Sequence, residues 1–144
     1  MTFDKNDSAG YLINHLARIF FQALAREIGP LGLAPGQFMV LLELWREEGL
    51  TQRDLVQRLD VEQATLANTL ARMERDGLVR RKPHPIDGRA QSIHLTDRAR
   101  RLEAPATKAA DGINRRMLGD LTAEERRGFL DAMRRVIATA GRAG

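Results

Sequence analysis

The chain has 144 residues, 43% of them hydrophobic, and no cysteine. This is enough for one compact domain with helical extensions, and it excludes disulfides, thiolate metal sites and thiol-based oxidant sensing. The formal net charge is +4, and residues 51–101 hold all of it, with 11 basic against 7 acidic side chains. A basic segment in an otherwise neutral chain suits a polyanionic partner.

No run of about 18 apolar residues is present, so no membrane span is expected. The opening MTFDKNDSAG is polar and acidic and does not resemble a secretory signal, so a cytoplasmic location is expected. His15, His84 and His94 are scattered rather than at metal-ligand spacing, and no metal or cofactor is expected.

In chain order, Ser8 is placed to cap a first helix that runs to Gly29-Pro30. Leu12, Leu16, Ile19 and Ala23 repeat at helical spacing, and Ile13, Phe20 and Leu24 widen the apolar face. Phe20 and Phe21 cannot both enter one narrow core. The face therefore either packs on a second surface, such as a partner subunit, or carries one half-exposed phenylalanine. Gly32-Leu33-Ala34-Pro35 is a connector, and Pro35 suits the first turn of the next helix. That helix carries Phe38, Leu41, Leu42 and Trp45 on one side and is expected to stop at Gly49.

Thr51 and Asp54 form a capping pair for a short helix, residues 52–59. After a turn at Leu59-Asp60-Val61, residues 62–76 form a second helix ended by Gly77. At about 100° per residue, Leu66, Leu70 and Met73 make a buried stripe. The opposite arc, about 140° to 260° away, holds Ala64, Thr65, Asn68, Ala71, Arg72 and Arg75 and no acid. Small residues permit close approach, and Arg and Asn form paired hydrogen bonds with base edges, so this arc suits a helix lying in the major groove. An acid-free solvated face is the plainer alternative.

Leu78-Val79-Arg80-Arg81-Lys82 reads as a strand with three consecutive cations near a phosphate backbone. Pro83 and Pro85 suit a sheet edge, and Asp87-Gly88 is a hairpin turn. The return strand, residues 90–95, points Ile93 and Leu95 inward, and Thr96 caps the next helix. Arg89 beside the hairpin tip is a long cation able to enter a minor groove. Asp87 is placed either to hold its guanidinium in position for DNA or to form a local turn salt bridge with no DNA role. Together these elements describe a winged helix-turn-helix. The fold expected is mainly α (α+β), with a two-stranded wing and further helices at both ends.

From residue 97 an Ala-rich helix runs on, with Pro105 and Gly112 as candidate bends. Thr122-Ala123-Glu124-Glu125 is a capping box for a last helix. Leu130, Met133 and Ile137 share one stripe of it, Phe129 and Val136 another, and the tail GRAG is expected to fray.

The run Asp87-Gly88-Arg89-Ala90-Gln91-Ser92-Ile93-His94-Leu95-Thr96 resembles the D-x-R-x-x-x-x-x-L-T wing signature of MarR-type (multiple antibiotic resistance regulator) bacterial transcription factors. Gly32 through Phe38 is similar to their lead-in to the second helix, and Met73 through Arg80 to their exit from the recognition helix. The resemblance covers nearly the whole chain, read as a single domain of residues 1–144. It implies a homodimer formed through residues 8–30 and 105–140, with a DNA-binding lobe at 34–100. Two such lobes read a palindromic double-stranded operator with half-sites about one helical turn apart.

Base reading then falls to Gln63, Ala64, Thr65, Asn68 and Arg72, with Arg89 in the minor groove. Arg75, Arg81 and Asp87 complete the candidate DNA-binding set. Many relatives carry Arg where this chain has Asn68, which makes adenine a reasonable partner there. Family members often respond to small aromatic or phenolic ligands bound between the dimer helices and the DNA-binding lobe. The corresponding residues here are Asn14, His15, Arg18 and Trp45, with Phe38 better read as core. His15 and Arg18, one turn apart, either hold a carboxylate or form an exposed polar face.

The function expected is a sequence-specific transcriptional regulator, a dimeric repressor released by ligand. The alternative is a winged helix serving as a non-specific architectural or protein–protein module. No nucleophile–base pair, metal cluster or glycine-rich phosphate loop suggests an enzyme.

Overall fold

The computed structural model describes residues 1–143, with side chains through residue 141. After a single 3-10 turn at Lys5–Asp7 come α1 (Ala9–Ile28), a second 3-10 turn at Gly29–Leu31, α2 (Pro35–Arg46), β1 (Leu50–Thr51), α3 (Gln52–Leu59) and α4 (Gln63–Arg75). The hairpin strands β2 (Val79–Pro83) and β3 (Gln91–Leu95) come next, then α5 (Asp97–Met117) and α6 (Ala123–Ala143). Two compact units are formed, Met1–Ala110 and Asp111 onward. Among the described residues no single helix is long and apolar enough to cross a membrane.

In the first unit, Ser8 Oγ accepts the Tyr11 N–H at 3.3 Å and starts α1. Gly32, at φ 81°, turns the chain out of the second 3-10 segment toward Pro35. The α2 helix buries Phe38, Val40, Leu41 and Leu44 and ends at Arg46, ahead of the expected stop at Gly49. The reason is β1, a strand too short to leave any alternation in the sequence. Gly49, at φ 85°, donates its N–H to Ile93 O at 2.8 Å and lays Leu50 opposite Ile93 and Thr51 opposite Ser92. The expected two-stranded wing is thus part of a three-stranded antiparallel sheet of order β1-β3-β2. β2 lies at an edge, where Pro83 gives up no ladder bond a neighbour needs.

The core of this unit includes Leu41, Leu44, Leu55, Leu66, Leu70, Met73, Leu78 and Ile93, all at most 2% exposed. Leu66, Leu70 and Met73 are the stripe expected on α4. Phe21 is exposed and Phe20 half-buried, and Leu12, Ile13, Leu16 and Ile19 line an exposed face of α1. Thr96 Oγ1 accepts the Ala99 N–H at 3.2 Å and starts α5, which runs unbroken through Pro105 and Gly112.

In the second unit, Thr122 and Glu125 form the reciprocal capping box of α6, at 2.9 and 3.1 Å. Met133, Val136 and Ile137 on α6 are exposed. The helix continues through Ala143, farther than the expected frayed tail, and Gly144 lies outside the described residues.

Candidate nucleic-acid interface

The candidate reading helix is placed by the short helix and turn before it. Thr51 Oγ1 accepts the Asp54 N–H at 3.1 Å while Asp54 accepts the Thr51 N–H at 2.9 Å, which fixes the start of α3. That backbone bond, with Arg58 and His84 nearby, holds the Asp54 carboxyl below the usual range despite partial burial. Asp60, in the left-handed region at φ 52°, turns the chain from α3 into α4. With its apolar stripe buried, α4 leaves Gln63, Ala64, Thr65, Asn68, Arg72 and Arg75 exposed.

The acids of this helix lie off that face. Glu62 stands at the N-cap position, before the first turn, Glu74 Oε1 meets Arg81 Nε at 2.6 Å, and Asp76 accepts from Gln37. Arg72 has no ion pair among the described residues. Arg75, its side chain 71% exposed, lies 3.2 Å from Asp76 Oδ1.

Strand alternation separates the three cations of the wing. Arg80 and Lys82 are exposed on one face, whereas Arg81 turns to Glu74 on the other. They do not form the continuous basic run suggested by their order in the chain. At the tip, His84 Nδ1 accepts the N–H groups of Ile86 and Asp87, at 3.2 and 3.1 Å.

Asp87 Oδ1 accepts the backbone N–H of Arg89 at 3.1 Å. It makes no ion pair with the Arg89 guanidinium among the described residues, so neither the expected hold on the guanidinium nor a turn salt bridge is found, and the contact made is to the backbone. A carboxylate two residues before an N–H closes an Asx-type turn at close range, and this leaves the guanidinium exposed and free.

The first turn of α3 and the wing enclose a cleft of about 670 Å³. Arg53 lines one wall and Arg89 the other. Both are exposed and without an ion pair among the described residues. Arg53 is absent from the residues expected at the interface, because nothing near it in the chain reveals that α3 starts opposite the hairpin.

The candidate ligand residues lie apart in chemistry. Asn14 Nδ2 donates to Gly10 O at 2.8 Å, and His15 sits edge-on to Tyr11 at 6.2 Å. Arg18 is exposed. Trp45 Nε1 donates to Ala99 O at 3.0 Å, and its ring meets that of Phe38 at 5.9 Å, with Phe38 in the core as expected. No hydrogen bond or ion pair joins Asn14, His15, Arg18 and Trp45 to one another among the described residues. Nor do those residues contain a group of three His, Cys, Asp or Glu able to hold a metal ion.

Residues 31–90 match the family model described as the MarR family. The chain is 33% identical over 125 residues to the transcriptional regulator HosA of Escherichia coli O111:H-, covering 86% of this chain and 93% of that protein. Its fold superposes on the crystal structure of MarR with a TM-score of 0.86, at 27% identity and over 99% and 97% of the two chains. It also matches the PcaV transcriptional regulator from Streptomyces coelicolor, solved in complex with its natural ligand, at a TM-score of 0.83 and 27% identity over 97% and 99% of the chains.

Proposed function

The chain belongs to the MarR family of transcriptional regulators, and on that premise we propose that it is a homodimeric, cytoplasmic repressor that binds a palindromic operator and releases it when a small aromatic or phenolic ligand binds. The observation that carries this reading is the exposed face of α4, where base-reading side chains stand with no acid among them while Glu74 and Asp76 are held off it by Arg81 and Gln37. In this reading residues 34–100 form the DNA-binding lobe. Gln63, Ala64, Thr65, Asn68 and Arg72 read the major groove. Arg75 reaches the bases at the end of α4, Arg81 lies beside the phosphate backbone in its pair with Glu74, and Arg89 enters the minor groove from a tip that Asp87 keeps in shape.

Residues 8–30 and 105–140 form the dimer. The support is that α1 and α6 each carry a row of exposed apolar side chains, among them Ile13 and Ile137, in the isolated chain. That a ligand binds is supported by the relative solved with its natural ligand; its aromatic or phenolic class follows the family resemblance, with Asn14, His15, Arg18 and Trp45 as candidate contacts. Dimer binding across a promoter blocks polymerase, hence repression.

The test is fluorescence anisotropy on the DNA upstream of the chain's own gene against scrambled DNA, over a salt series. Tight, selective binding that phenolic or aromatic carboxylate compounds weaken is the expected result. Equal affinity for both DNAs would instead favour a non-specific architectural or protein-binding role.

A further inference from the structure

Gln37 is one of two buried polar side chains among the described residues, at 6% exposure, and it lies in α2, away from the exposed face of α4. Its two polar atoms are both used. Oε1 accepts the Ala34 N–H at 3.1 Å, which ties the side chain to the connector between α1 and α2. Nε2 donates to Asp76 Oδ2 at 3.0 Å, 39 residues away in the chain. Asp76 is the C-cap of α4, and its other oxygen, Oδ1, faces Arg75 Nε at 3.2 Å. Its carbonyl accepts from Arg98 Nη1, and a Cβ on Gly32 would come within 2.9 Å of Arg98 Nη2.

An acid at this position runs against local physics. The C-terminus of a helix carries partial negative charge and favours cations. Asp76 is sustained there by Gln37 first and Arg75 second, which hold its carboxyl below the usual range. Nothing in the stability of α4 alone calls for an acid at its end. What the acid does accomplish is to join the end of α4 to the α1–α2 connector, through an amide at position 37 that donates to Asp76 while accepting from Ala34. On the α4 side the same acid restrains Arg75, a member of the exposed face.

We infer that Gln37 is a positioning residue for DNA reading: through Asp76 it sets the end of α4 and the orientation of Arg75, and it links both to the α1–α2 connector. This rests on the reading of α4 as the DNA-reading helix. A coupling of this kind changes binding by roughly 2- to 30-fold when broken, and it must show in discrimination between sequences, not only in overall affinity.

The test begins with wild-type protein enriching a preferred duplex from a random-sequence pool. The ratio of affinities for that duplex and a scrambled one is then measured for Gln37→Met, Gln37→Glu, Asp76→Asn and the exchanged pair Gln37→Glu with Asp76→Asn. In the exchanged pair the amide donates from position 76 and the carboxylate accepts at position 37. That carboxylate still accepts from the Ala34 N–H, the new amide oxygen still faces Arg75, and the net charge is unchanged.

The single variants are expected to lower the ratio by roughly 2- to 30-fold and the exchanged pair to restore most of it, all measured well below each variant's Tm. Single variants that melt earlier yet keep the wild-type ratio would show Gln37 to be merely structural and overturn the inference. So would an exchanged pair that melts like wild type and stays as undiscriminating as the singles. If the wild type enriches no sequence, the DNA-reading assignment of α4 fails instead, and the inference falls with it.

Discussion

At the wing tip, Asp87 and Arg89 divide the work between backbone and side chain. Asp87 is spent on the Arg89 N–H, so the guanidinium enters a binding event unpaired and with no local ion pair to break. Arg89→Ala is expected to weaken operator binding by about 1–3 kcal/mol and to lower the salt slope by about one phosphate contact. Asp87→Ala removes a negative charge facing DNA, and on Coulombic grounds alone it should strengthen binding. The turn geometry predicts the opposite, a loss, because the backbone under Arg89 is released. Anisotropy titrations over a salt series distinguish the two, and tighter binding by Asp87→Ala would refute the turn argument. Arg81 differs from Arg89: it is already paired with Glu74 at 2.6 Å, in a partly exposed ion pair.

Among the elements, the three-stranded sheet is held to α5 by Glu48, which lies just beyond α2. Its carboxylate accepts the Leu95 N–H at 2.8 Å and two bonds from Arg100 at 3.0 and 3.2 Å. Partial burial pushes this carboxyl up, but the Leu95 and Arg100 bonds outweigh it, and the net direction is down. Asp54 and Asp76 are lowered as well. A carboxylate depressed in the folded state contributes stability that is fully present above its ordinary pKa of about 4 and is lost as pH falls through the lowered folded value. Urea melts should therefore change little with these groups from neutral pH to about pH 5 and weaken below about pH 4. Glu48→Gln should cost about 1 kcal/mol at neutral pH, since the site is a third exposed, and should flatten the acid limb. An acid limb unaltered by the substitution would mean that Glu48 contributes nothing to it. Ser92 and His94 stand beside Glu48, with Ser92 Oγ 2.9 Å from His94 Nε2 and His94 Nδ1 3.9 Å from Glu48. The arrangement is structural, because the serine is 2% exposed and its hydroxyl donates to Lys82 O.

For the whole molecule, the isolated chain leaves large apolar side chains exposed in both of its compact units, Leu12, Ile13, Leu16 and Ile19 on α1 and Met133, Val136 and Ile137 on α6. If these faces are covered in a dimer, Tm should rise with protein concentration, because association stabilises only the folded chain. Ile13→Asp and Ile137→Asp should each shift sedimentation toward monomer. A wild type that sediments as a monomer at micromolar concentration, with a concentration-independent Tm, would overturn the dimer. Features carried within a few residues were legible along the chain. Ser8, Thr51, Thr96 and Thr122 start the helices they were expected to start, because a cap reaches only two or three residues. The α4 stripe and the Asp87-Gly88 turn were legible for the same reason, as were the fold class and the family. Which charges are free is settled only once the chain has folded. Glu74 takes Arg81 out of the basic strand, Gln37 sustains Asp76 from 39 residues away, and Arg53 meets the wing across a cleft. β1 belongs with these, since two residues become a strand only when β3 lies beside them. Periodicity and capping are read along the chain, whereas ion pairs, buried amides and edge strands depend on partners that only folding brings near.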